Sequence, residues 1–120
     1  MLPKANRLTR KKDFGTVFKK GKNFKEDFLI LRIVSTKRKE NRFGIIVSQK
    51  ISKKATVRNK IKRKIRAIIK PVMPGIKQGE DIVFVALPGL EVKDFREIEK
   101  TINKLFKKAE LIENTSSVRK

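Results

Sequence analysis

FGIIVSQKISKKATVRNKIKRKIRAIIKP, residues 43–71, decides how this chain folds, because its hydrophobic period changes partway along. Residues 43–49 (FGIIVSQ) are branched and aromatic over a short run, which reads as a buried strand. From Val57 the period becomes 3.6: Val57, Ile61, Ile65, Ile68 and Ile69 form one helical stripe until Pro71, Pro74 and Gly75 stop it. Downstream, Gln78 to Glu80 make a turn, and Ile82 to Leu87 (IVFVAL) reads as a strand buried on both faces, closed by Pro88 and Gly89. Strand, helix and strand together make a crossover unit, for which the general rule favours a right-handed connection.

Working outward, residues 28–34 (FLILRIV) suit a further buried strand, followed by the charged stretch Ser35 to Arg42. Antiparallel pairing of this strand with residues 43–49 through that loop is the simplest topology, since sequential strands on a short connection usually neighbour each other. Residues 22–26 add a brief edge strand. At the start, Phe14, Val17 and Phe18 sit at i, i+3, i+4, with Thr9 as a candidate N-cap and Gly21 to end the helix. At the other end, Asp94 with Glu97 resembles a capping box, and Phe95, Ile98, Ile102, Leu105 and Phe106 give the last helix an apolar face. Beyond Lys108 the tail (AELIENTSSVRK) is expected to fray. The expectation is an α+β fold, one domain over residues 1–120.

Composition narrows function by exclusion. The chain has neither cysteine nor histidine, which removes thiol nucleophiles, zinc fingers, imidazole bases and disulfides. No apolar run approaches the roughly 18 residues a membrane span needs, and no h-region follows the charged start, so the expected setting is the cytoplasm and no membrane. Against 12 acidic residues stand 33 Lys and Arg, a formal net charge of +21. A merely soluble surface intersperses both signs near balance, so this surplus points to a polyanion, of which nucleic acid is the commonest.

The charge is organised on the period-3.6 segment. On a helical wheel Asn59, Arg63, Arg66 and Lys70 lie opposite the isoleucine stripe, with Arg58 and Lys62 on one shoulder and Lys60 and Lys64 on the other. Like charges at i,i+4 repel by a few tenths of a kcal/mol per pair, and nothing acidic on the segment relieves them. Phosphate binding explains such a face better than solubility does. Asn59 has two readings: an amide that bonds a base edge or 2′-hydroxyl, or a cap at the helix start, where Ser52 and Thr56 are equally placed. Phe14 and Phe18, one turn apart, are either core or an aromatic platform beside a basic groove for single-stranded RNA; the chain has no Trp or Tyr to serve instead.

Residues 43–66 (FGIIVSQKISKKATVRNKIKRKIR) resemble the protein component of bacterial ribonuclease P. Arg58, Asn59, Lys62, Arg63 and Arg66 follow the spacing of that family's "RNR" signature, and Asn6 to Gly21 (NRLTRKKDFGTVFKKG) is similar to its opening segment, with Arg7-Leu8 and Asp13-Phe14 in context. The resemblance covers about residues 5–108. It implies an αβββαβα order, a four-stranded sheet packed with three helices, and a left-handed crossover carrying the signature helix. It implies a monomer paired one to one with a catalytic RNA that removes the 5′ leader from precursor tRNA, the hydrolysis using Mg2+ bound by that RNA, and no catalytic or metal-ligating residue on the protein. By position, Arg58, Asn59, Lys60, Lys62, Arg63 and Arg66 would hold the catalytic RNA, while Phe14, Phe18, Leu29, Leu31, Ile46, Ser48 and Lys50 would line the leader cleft. Strand alternation places Leu29 with Leu31 on one face and Ile46 with Ser48 on one face. Leu31 stands where members often carry an aromatic, Gln49 where a lysine is common, and Lys50 to Thr56 lack the usual glycine.

Three other classes make different demands. A ribosomal protein bound to folded ribosomal RNA fits the size and charge but not the RNR spacing. An enzyme in its own right needs a convergent acid and base, and the carboxylates are scattered. A DNA architectural protein would bind duplex without preference for single-stranded extensions.

Overall fold

The change of period is carried into three dimensions. In a computed structural model the described residues are 3–111. The elements are α1 (Lys11–Lys20), β1 (Lys22–Glu26), β2 (Leu29–Ser35), β3 (Arg42–Val47), α2 (Ala55–Val72), β4 (Glu80–Ala86) and α3 (Phe95–Lys108). This is the αβββαβα order, with one mixed sheet and helices on both faces. No helix among the described residues is long and apolar enough to cross a membrane.

The sheet order is β1-β2-β4-β3, which corrects the expected pairing of β2 with β3. β4 lies between them, antiparallel to β2 and parallel to β3. It is buried on both faces, and a central place pairs its backbone on both edges. The connection from Ser35 to Arg42 need only step over one strand, roughly 10 Å, well within the reach of residues 36–41 at about 3.3 Å each. Proximity in sequence therefore loses to the strand that can be buried on both sides.

Alternation divides the sheet's side chains. Leu29, Leu31 and Ile33 of β2, Phe43 and Val47 of β3, and Ile82, Phe84 and Ala86 of β4 join Ile61, Ile65, Ile68 and Ile69 of α2 and Ile98, Ile102, Leu105 and Phe106 of α3 in the main core. Phe84 and Phe106 meet edge to face, centroids 5.7 Å apart. On the opposite face α1 buries only Val17, with Leu8 and Val83.

Local signals fare unevenly. Asp94 and Glu97 form the reciprocal capping box. Thr9 does not cap α1; Arg10 holds that position without a side-chain bond. Neither Ser52, Thr56 nor Asn59 caps α2, whose N-cap is Lys54, although Ser52 Oγ accepts the Lys54 N–H at 3.2 Å. Pro71 falls inside the last turn of α2 instead of stopping it, and a 3-10 turn at Met73–Gly75 completes the exit. Gly21 permits a close crossing, because a Cβ there would stand 2.3 Å from the Val17 carbonyl oxygen and 2.7 Å from that of Ile33. The expected fraying fails for its first residues: Leu111 is buried, its N–H donates to Phe106 O at 2.9 Å and its carbonyl accepts from Lys77 N at 2.7 Å. The rest of that tail, residues 112–120, lies outside the described residues.

Candidate nucleic-acid interface

The register of the sheet draws the open face. One row across the strands reads Asn23, Arg32, Val83, Gly44; the next reads Lys25, Ile30, Val85, Ile46. α1 lies over the first row: Phe14 covers Gly44, Val17 packs with Val83, and Phe18 meets Arg32. It leaves the second row beside it, where Ile30, Val85 and Ile46 stay half-buried. The result is an apolar floor across the strands, walled by Phe14 and by Phe18, which is 39% exposed. Ser48 continues the β3 side of this floor; its Oγ accepts the N–H of exposed Lys50 at 3.2 Å.

Two devices fix the wall. A Cβ on Gly44 would stand 2.6 Å from Cε1 and Cζ of Phe14, so the ring sits directly on the strand backbone. Two residues before Gly44, Arg42 clamps α1 to the sheet through Asp13, the residue before Phe14. Its Nε and Nη2 bond the two oxygens of Asp81 at 2.8 and 2.6 Å, and Nη1 bonds Asp13 at 3.0 Å. The hydrogen bonds to Asp81, more than the one to Asp13, hold the Arg42 guanidinium above its ordinary pKa despite burial.

The second surface is α2. Its isoleucines are buried as the wheel requires, and Asn59, Arg63 and Lys70 opposite them are exposed; Lys62 and Lys64 on the shoulders are half-buried, while Arg66, expected opposite the stripe, is half-buried and Lys60, expected on a shoulder, is exposed. The Asn59 side chain makes no hydrogen bond within the described residues, which leaves its amide available. Arg58 is partly committed, since Nη1 donates to Ser52 O at 2.8 Å and braces the turn that joins β3 to α2. That turn begins at the Ser48 end of the apolar floor, so chain connectivity alone brings the start of the cationic helix to the floor's edge.

Of the expected cleft residues, Phe14, Phe18, Ile46 and Ser48 come together on one face of the sheet, with Lys50 just beyond. Leu29 and Leu31 do not. Both are fully buried in the main core on the other face, and the residues of β2 that face α1 are Ile30, Arg32 and Val34. The physical reason is strand phase: residues 28–34 are apolar at every position but one, so period 2 alone does not choose a face. Arg32 was the available signal, because an arginine interior to a strand turns to the less buried side and carries i±2 with it. Ile30, Val85 and Gly44 also escaped the sequence reading, the last two because their roles depend on which strands become neighbours.

The chain is similar to proteins of known kind along nearly its whole length. Residues 2–110 match the family model described as Ribonuclease P. A ribonuclease P protein component from Synechocystis sp. is 41% identical over 117 residues, covering 97% of this chain and 94% of that protein. Another, from Syntrophomonas wolfei, is 39% identical over 111 residues, covering 92% of each. Among solved structures, the Staphylococcus aureus RNase P protein superposes with a TM-score of 0.84 at 29% identity, over 92% of this chain and all of that one. The Thermotoga maritima protein gives 0.78 at 31%, over 85% and 96%.

Proposed function

The chain belongs to the ribonuclease P protein family and is an RNA-binding subunit of that ribonucleoprotein, and from this premise we propose how its two surfaces divide the work. The α2 face, through Arg58, Asn59, Lys60, Lys62, Arg63 and Arg66, grips the ribonuclease P RNA. The floor of Ile30, Val85 and Ile46, with Phe14 and Phe18 as walls and Ser48 and Lys50 at its end, receives the single-stranded 5′ leader of precursor tRNA. Cleavage, and the Mg2+ it requires, belong to the RNA; Asp13 of α1 and Asp81 of β4 are already shared by Arg42. The assembly is one protein to one RNA, in the cytoplasm.

The observation that carries this reading is the meeting of a helix face without acidic residues and an under-covered apolar sheet face, joined by one short turn. Cations supply sequence-independent phosphate contact, and half-open rings supply stacking to any base; single-stranded nucleic acid needs both. Family membership sets aside the ribosomal alternative.

Reconstitution tests it. Added to a bacterial ribonuclease P RNA at low Mg2+, the protein should restore leader cleavage, while the protein alone with precursor tRNA and Mg2+ should cut nothing. Within the holoenzyme, Phe18→Leu should lose about 1 to 3 kcal/mol of binding to leader-bearing tRNA and little to mature tRNA. A precursor-to-mature affinity ratio held at its wild-type value in a folded variant returns Phe18 to a purely structural role.

A further inference from the structure

Arg32 is placed where packing alone has no use for a charge. It sits in β2 between Ile30 and Val34, on the face that α1 half covers, and makes no ion pair within the described residues. Its Nε is buried without a hydrogen-bond partner among the described residues. Buried donors are nearly always paired, so an unpaired one in an otherwise orderly strand calls for a reason outside stability. A valine or leucine there would leave no unsatisfied group.

The contacts the guanidinium does make are both with one residue. Its Cζ lies 4.9 Å from the centroid of the Phe18 ring, and Nη1 donates to the Phe18 carbonyl at 3.3 Å. The second contact also meets an acceptor that the end of α1 leaves open. Arg32 rises from the sheet, so it takes the sheet-side face of the ring, and the remaining surface of Phe18 is what stands exposed. A phenylalanine in the last turns of a short helix, open on one side, would otherwise be poorly held. We infer that Arg32 is a positioning residue for the leader site: it pins the Phe18 ring from beneath, by cation–π contact and by its bond to the Phe18 carbonyl, so that the outer face is presented for a base to stack on.

This rests on the groove being the leader site, and the test separates the two. Arg32→Met, Phe18→Leu and the double variant are each assembled with ribonuclease P RNA, and affinity is measured for precursor and mature tRNA. A cation–π contact of this kind corresponds to about a 2- to 5-fold effect. Arg32→Met should therefore lower the precursor-to-mature ratio about 2- to 5-fold alone and change nothing further in the Phe18→Leu background. The salt dependence of precursor binding should keep its slope. A ratio unmoved by Arg32→Met, while Phe18→Leu lowers it, overturns the inference and leaves the groove intact. An equal loss in both backgrounds, or a slope reduced by about 0.7, makes Arg32 a direct contact and overturns it too. A ratio unmoved by Phe18→Leu removes the groove reading, and this inference with it. Should Arg32→Met fail to fold, Arg32→Lys, which keeps a cation at the ring without the planar fork, takes its place in the same cycle.

Discussion

The two faces of this sheet are stabilised by different physics. The face under α2 and α3 is closed: Leu29, Leu31, Ile65, Ile69, Ile82, Phe84, Ile102 and Phe106 are all fully buried, and the burial of apolar area does the holding. The face under α1 buries Leu8, Val17 and Val83, leaves Ile30, Ile46 and Val85 half-open, and depends on an arginine held by two carboxylates. A face left half-open must be held together by contacts that occupy little area. Directional bonds at Arg42 and a ring seated on a glycine supply them.

The largest test of that contrast is Arg42→Met. Removing the guanidinium leaves Asp81, whose side chain is 6% exposed, buried and unpaired, with Asp13 beside it. Breaking such a pair from one side should cost about 3 to 5 kcal/mol in chemical denaturation. The compensated variant Arg42→Met with Asp81→Leu should recover most of the loss, because no buried charge then remains. A single variant that unfolds at the wild-type midpoint would mean that α1 is held by packing alone and that the two faces do not differ in kind.

Next in size is Gly44→Ala. The new methyl would stand 2.6 Å from the Phe14 ring, closer than any real contact, so ring or strand must move. Overpacking of this sort costs about 1 to 3 kcal/mol. Combining it with Phe14→Leu should restore part of the stability, since the smaller side chain vacates the space. If Gly44→Ala is silent, Phe14 is not seated on β3 and the wall of the groove is looser than described.

The same contrast explains what could be read from the chain. The phase of α2 was legible because its isoleucines, at 61, 65, 68 and 69, admit one wheel, and the opposite face is cationic at nearly every step. β4 was legible as doubly buried because IVFVA offers no polar side. Its place between β2 and β3 was not, because neighbours in a sheet are settled by which strand gains most from two partners, a property of the whole molecule. The candidate surfaces followed suit: the cationic side chains of α2 lie off the buried isoleucine stripe, while the strand residues slipped by one position at Leu29 and Leu31, where a continuous apolar run hides its phase. Leu111 was missed for a related reason, since a lone leucine in a polar tail carries no period, yet it closes the end of the core beside Lys77.

The smallest expected effect concerns Gly15, in the middle of α1 and facing solvent. A Cβ there meets nothing within 4 Å, so no close approach inside the protein requires a glycine. Glycine in a helix interior costs about 0.5 to 1 kcal/mol relative to alanine, chiefly through the freedom of the unfolded chain. Gly15→Ala should therefore stabilise the protein by about that amount, read as a rise in denaturation midpoint at unchanged slope. On the closed face the same gain would be a minor addition to a large apolar core. On the open face it strengthens the one helix that covers the sheet, and it adds no contact to the groove floor. Leader affinity in the holoenzyme should stay constant while stability rises. A variant that gains stability but loses leader affinity would place the nucleic acid against the α1 backbone at Gly15, extending the groove over the helix; one that gains no stability would show that α1 is not helical through its centre in the unbound protein.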